Sequence, residues 1–213
     1  MSAAKVQEVS SGPTPGAVMP IEQLPFVAAR LSLLRADPHD AHARHHAQDR
    51  TFVLVHRWKV LVDQLPMIRS STMGCLEAVE GKNGITFRIA NREKYDTIQT
   101  TIREHSEQIT RLEIAMRELD SVGCGWLDEM RSQRDSLAGA ERQARSVLSS
   151  WASAAIQKNF GKSKSAEESL AEDPIYQAKK AGAEARIAKA KAELADLVPR
   201  LERIEDILSG VGC

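Results

Sequence analysis

The chain is poor in the features that mark most functional classes. Three cysteines, Cys75, Cys124 and Cys213, stand far apart and are odd in number. That excludes a secreted disulfide framework and any Cys-x-x-Cys zinc or thiol-exchange pair, and it points to a reducing compartment. The ending Gly210-Val211-Gly212-Cys213 is no prenylation box, which needs its Cys four from the end. No apolar run approaches the roughly 20 residues that cross a bilayer. The most apolar stretch, Phe52 to Val62, is broken by His56, Arg57 and Lys59. No apolar core follows Lys5, so no secretory signal peptide is expected and the expected location is cytoplasmic.

Charge of one sign is missing as well. The 29 Lys and Arg balance the 29 Asp and Glu, and the largest local excess, over residues 51–94, is seven basic to four acidic. Nonspecific nucleic-acid binding draws on clustered cations that release phosphate counterions, so nucleic acid is not an expected partner. Gly161-Lys162-Ser163 imitates the end of a phosphate-binding loop, but Ile156 stands where the first glycine belongs.

What is present favours helices. Aromatic residues are 4% of the 213 positions, charged residues 27% and hydrophobic residues 42%. The last figure allows a buried core, and the abundance of Ala, Leu, Glu, Lys and Arg suits long helices. The length fits one domain with tails. Residues 1–19, with Gly12, Pro13, Pro15 and Gly16, read as a mobile arm compatible with a non-cleaved secretion segment. Residues 20–90 read as a small helical region. A short helix is expected from Pro20 to Ala36. A second starts at Asp37-Pro38-His39-Asp40 and runs to Gln64 or Leu65, where Pro66 breaks or kinks it. The β-branched run Thr51 to Val55 leaves a strand open, but the 4-3-4 spacing of Leu54, Trp58, Leu61 and Leu65 favours helix. Gly81-Lys82-Asn83-Gly84 is a loop, and Ile85 to Ala90 is a short strand or the run-in to the next helix. With no evident strand partner, β content is expected near zero.

The strongest pattern spans residues 91–158. After Asn91, a good cap, Tyr95, Ile98, Ile102, His105, Ile109, Leu112, Met116 and Leu119 alternate gaps of three and four, as in a coiled coil. Gly123-Cys124-Gly125 interrupts, and Trp126, Met130, Gln133, Leu137, Ala140, Ala144, Val147, Trp151 and Ala154 resume the alternation. This predicts an antiparallel coiled-coil helical hairpin, with His105 facing Ala140 and Ala144 and Tyr95 near Trp151. Residues 159–172 read as a linker. Asp173-Pro174 then starts a heptad helix over 173–209, which Pro199 should bend. The expected fold class is therefore all-α: the hairpin, a long C-terminal helix and a small N-terminal helical region.

Leu127, Ala138, Leu148, Ala152 and Ile156 widen the stripe of the second arm beyond one seam, which asks for a third surface. The residues expected at interfaces are Ile98, Ile102, Ile109, Leu112, Leu127, Leu148, Leu194, Leu197, Leu201 and Ile204. Among polar candidates, His39, His42, His45 and His46 lie within eight positions. His42 and His46, one turn apart, have the spacing of zinc or nickel ligands, against the plainer reading of a solvated His-rich face, since no Cys or Glu completes a known ligand set. His105 fits a register-setting polar residue. Cys124, between two glycines, is either a reactive thiol or a small turn residue. No convergent catalytic set is visible, no cofactor is implied and an enzyme is not expected. The expected function is non-catalytic assembly through coiled-coil contacts with protein partners or further copies, within a large particle if it is one of its components. The alternatives are an exported effector or adaptor, and a metal- or nucleic-acid-linked regulator using the His-rich helix.

Overall fold

A computed structural model describes residues 19–81, 84–161 and 165–213. The expected N-terminal arm up to residue 18, Lys82 and Asn83 of the expected loop, and Lys162 and Ser163 lie outside the described residues. The elements are α1 (Pro25–Leu34), α2 (Ala41–His46), α3 (Arg50–Ser71), β1 (Leu76–Gly81), β2 (Gly84–Ile89), α4 (Arg92–Val122), α5 (Leu127–Lys158), α6 (Ala166–Glu172) and α7 (Pro174–Gly210). The class is all-α, with a helical hairpin and a long C-terminal helix. Among the described residues no helix is long and apolar enough to cross a membrane.

The core is built where five helices meet. Val27 of α1, Leu54 and Val55 of α3, Met116 and Leu119 of α4, Leu127 of α5 and Ile204 and Leu208 of α7 are fully buried there. The helices that pair are not the two expected. α4 lies along α3, and α5 lies antiparallel along α7, while α4 and α5 meet only around their connecting turn and then part. The reason is the C-terminal half of α7, which engages both. Arg203 reaches Glu118 on α4 at 3.0 Å, and Glu205 accepts from Arg131 on α5 at 2.9 Å. Heptad spacing shows that a helix carries an apolar stripe, not which stripe it meets. His105 therefore does not face Ala140 and Ala144; its Nδ1 lies 3.0 Å from the Thr101 carbonyl one turn earlier on α4. Nor does Trp151 face Tyr95; it meets Lys179 of α7, whose Nζ lies 5.6 Å from its ring centre.

Three local readings also change. The single helix expected from Asp37 to Leu65 is two, because Asp40 caps α2 and Asp49 caps α3 through the Thr51 N–H at 2.8 Å. α3 continues through Pro66 to Ser71. The strand at Ile85–Ala90 does have a partner, Leu76–Gly81, which pairs with it antiparallel from Leu76–Ile89 to Gly81–Gly84. The partner was hidden because Leu76-Glu77-Ala78-Val79-Glu80 carries one β-branched residue and two acids, a weak strand signal on its own. Within the expected linker, Ser165 and Glu168 form a reciprocal capping box that starts α6. At the far end of the α5–α7 pair, Ala155, Ser169, Asp173 and Tyr176 are buried together with α6. There Asp173 caps α7, accepting from the Ile175 and Tyr176 N–H groups at 2.9 Å, and this holds its carboxyl below the ordinary value.

The α4 terminus turns at Gly123, whose φ of 72° is left-handed, and the Cys124 N–H closes back on the Leu119 carbonyl at 3.0 Å. Arg200 of α7 donates to the Gly123 carbonyl at 2.8 Å and to that of Val122 at 3.2 Å, and a Cβ on Gly123 would sit 3.2 Å from its guanidinium. Gly139 lies inside α5 with open space around it. Gly123→Ala is expected to lower stability by about 1–2 kcal/mol. Gly139→Ala should raise it by roughly 0.5–1 kcal/mol. Urea unfolding of both variants checks the pair of signs.

Candidate docking surface

A polar knot fixes the turn between α4 and α5 and so sets where the long helices point. Arg30, on the buried side of α1, is 2% exposed. Its Nε and Nη2 donate to Thr51 Oγ1 at 2.9 and 2.7 Å, its Nη1 to the Phe26 carbonyl at 3.2 Å and its Nη2 to the Gly125 carbonyl at 2.8 Å. The guanidinium lies over Trp126, 3.7 Å from the ring centre. Thr51 relays the cluster to Asp49, which accepts the Thr51 hydroxyl proton in a short contact and the Asp128 N–H at 3.3 Å. Burial lowers the Arg30 pKa, with Cys124, Asp49 and Glu129 opposing; the guanidinium stays charged.

His46 covers the same indole, stacked at 4.1 Å between ring centres and 2% exposed, with Nε2 3.5 Å from Glu129 Oε1. Of the four histidines, only His46 is committed to packing; His39, His42 and His45 stay exposed. His42 and His45 meet the His46 ring edge-on at 4.6 and 4.9 Å, and among the described residues no group of three or more His, Cys, Asp or Glu side chains is arranged to hold a metal ion. Cys124 is half-buried with its thiol aimed at the Gly125 carbonyl, and burial pushes its pKa up to about 11. It is a protonated turn residue at neutral pH, not a reactive thiolate. Sequence reasoning missed Arg30, Asp49 and Thr51. Arg30 shares the i, i+3 and i, i+4 face of Phe26, Val27 and Leu34, and a cation on an apolar face is the signal that marks it.

The outward surface lies elsewhere. An open groove of about 670 Å³ runs between α5 and α7. Small residues, Ala140, Ala144, Gly182, Ala183 and Ala190, keep its floor low. Val147 and Trp151 stand on its α5 side, 45% and 37% exposed. Lys179, Arg186 and Lys189 of α7 line it with positive charge, against Glu193 alone as an acid.

Of the residues expected at interfaces, Leu112, Leu127, Leu197, Leu201 and Ile204 are buried in the chain's own core. Ile98, Ile102, Ile109, Leu148 and Leu194 are half-buried. The stripe that stays open on α5 is borne instead by Val147 and Trp151. Comparison with protein-family models, with curated proteins and with solved structures finds no match. The surface chemistry therefore carries the functional reading.

Two outcomes test the knot. Arg30→Met leaves the Gly125 carbonyl without its charged donor and the buried Asp49 carboxylate without its cation, and should cost about 3 kcal/mol or more in denaturant unfolding. Burial lowers the His46 pKa, with His42 and His45 adding to the effect and Glu129 and Asp49 opposing it. The unfolded chain then takes up that proton first, so the contribution of His46 is intact above the ordinary imidazole value and is lost as pH falls below it. Thermal melts should drop as pH falls below the ordinary imidazole value of 6.5, and His46→Phe, which keeps the stack on Trp126, should flatten that slope.

Proposed function

We propose that this protein is a non-catalytic assembly subunit that binds a partner helix in the groove between α5 and α7. The observation that carries the reading is the groove itself. Two helices packed along one side leave a second apolar side uncovered, and a third helix is the shape that closes it. The small floor lets a partner backbone approach closely, while Val147 and Trp151 supply apolar contact at the rim. The excess of Lys179, Arg186 and Lys189 over Glu193 selects a helix whose apolar stripe is flanked by acidic residues. Such a contact gains from the cationic rim at low ionic strength and weakens with added salt.

Native purification under mild salt, with mass analysis of the intact complex, gives partner and stoichiometry together. Val147→Glu places an acid on the apolar rim at an exposed position. It should leave the helical circular dichroism and melting temperature close to wild type while abolishing the complex. Gly182→Ala, which adds a methyl group where nothing lies within 4 Å, should stabilise the isolated chain yet weaken the complex. A wild-type chain that stays monomeric in light scattering and captures the same set of proteins as Val147→Glu would contradict the reading.

A further inference from the structure

The β1–β2 hairpin carries a second surface, separate from the groove. The two strands project beyond the end of α3, and no long helix packs along them. A lone two-stranded ribbon is at best marginally stable in water, so this one is built to be extended. The antiparallel register gives the direction in which each backbone group points. The Ala90 N–H donates to the Cys75 carbonyl at 2.9 Å. From that pair the ladder alternates, so Glu77–Arg88, Val79–Thr86 and Gly81–Gly84 are the hydrogen-bonded pairs. The N–H and C=O groups of Ile85, Phe87 and Ile89 therefore point away from β1, along the free edge of β2. Their side chains share one face, where Ile85 is 64% and Phe87 62% exposed.

The two free edges differ in chemistry. The edge of β1 belongs to a strand with two acids, Glu77 and Glu80, and such charges are the usual guard against strand pairing. β2 has no Lys, Pro or acid, and its one charge, Arg88, is held by Glu77 at 3.0 Å. The β2 edge is also self-complementary. A two-fold axis through Phe87 sets Ile85 of one copy opposite Ile89 of the other and Phe87 opposite Phe87. In that register every outward backbone group of the three residues finds a partner, and the apolar faces join into one strip. The same operation on β1 about Ala78 would set Leu76 against Glu80, so the acidic strand does not offer an equivalent.

We infer that the free edge of β2 pairs antiparallel with β2 of a second copy, converting two hairpins into one four-stranded sheet. The contact is small and belongs to the weak, reversible class of interfaces. Closed two-fold pairing uses the β2 edge once per chain, so it stops at a dimer.

Amide exchange read residue by residue tests this directly, since it reports the hairpin whatever the groove does. In the wild-type chain, exchange at Ile85, Phe87 and Ile89 should slow by about tenfold or more as concentration rises into the high-micromolar range, with sedimentation showing dimers and nothing larger. Ile85→Lys should remove that dependence, whereas Ala78→Lys on the opposite edge should keep it. Val147→Glu should also keep it, which separates failure of this contact from failure of the groove. Three amides that exchange at the same rate at every concentration would overturn the inference. So would growth beyond dimers, or loss of the dependence in Ala78→Lys.

Discussion

One buried cation sets the geometry on which everything else rests. Arg30 ties α1, the start of α3 and the α4–α5 turn into one node, holding the Gly125 carbonyl by a charged hydrogen bond and lying over the Trp126 ring. A guanidinium out of water is costly unless its donors are used and an opposite charge is near. Here four hydrogen bonds and the Thr51 relay to Asp49 meet that demand. With the turn anchored on that side, and Arg200 of α7 gripping it from the other through the Val122 and Gly123 carbonyls, α4 and α5 leave the node on different courses. Each then takes a different partner.

That divergence explains the uneven use of apolar surface. Near the node five helices share a close-packed core, and the large aliphatic side chains of α7 from Leu197 to Leu208 are buried there. Farther out, among the described residues, α5 and α7 pack chiefly on each other and on α6, and α7 becomes rich in Ala and Gly. Small residues let two helices approach closely, but they leave the outer side of the pair shallow and open. The hairpin beyond α3 is a second region with little covering it. Buried apolar contact is thus concentrated at the node and thins out along the arms that leave it.

Much of the helical content was legible in the sequence. The 3-4 alternation over 95–119, 126–154 and 176–208 marks α4, α5 and α7, and the Asp173-Pro174 start places the cap of α7 correctly. What the pattern could not carry was partner choice, because the stripes of α4 and α5 are compatible in spacing with each other and with those of α3 and α7. The choice is made by tertiary contacts, chiefly Arg30 with Trp126 and Arg200 with the turn, between residues from 77 to 96 positions apart. The hairpin was half legible: Ile85 to Ile89 reads as a strand, while its acidic partner does not. In the His-rich segment His39, His42 and His45 stay exposed as a solvated face, while His46 stacks on Trp126, a contact that only the folded turn creates.

Crosslinking between engineered cysteines, in a background with Cys75, Cys124 and Cys213 replaced by serine, tests the central geometry most directly. The account predicts that Val147→Cys with Ala183→Cys, on facing sides of the α5–α7 groove, joins readily with a short bismaleimide. It predicts that His105→Cys with Glu141→Cys, which a closed α4–α5 hairpin would bring together, does not. Efficient joining of the second pair within one chain, or failure of the first, would contradict the divergent arrangement of the long helices.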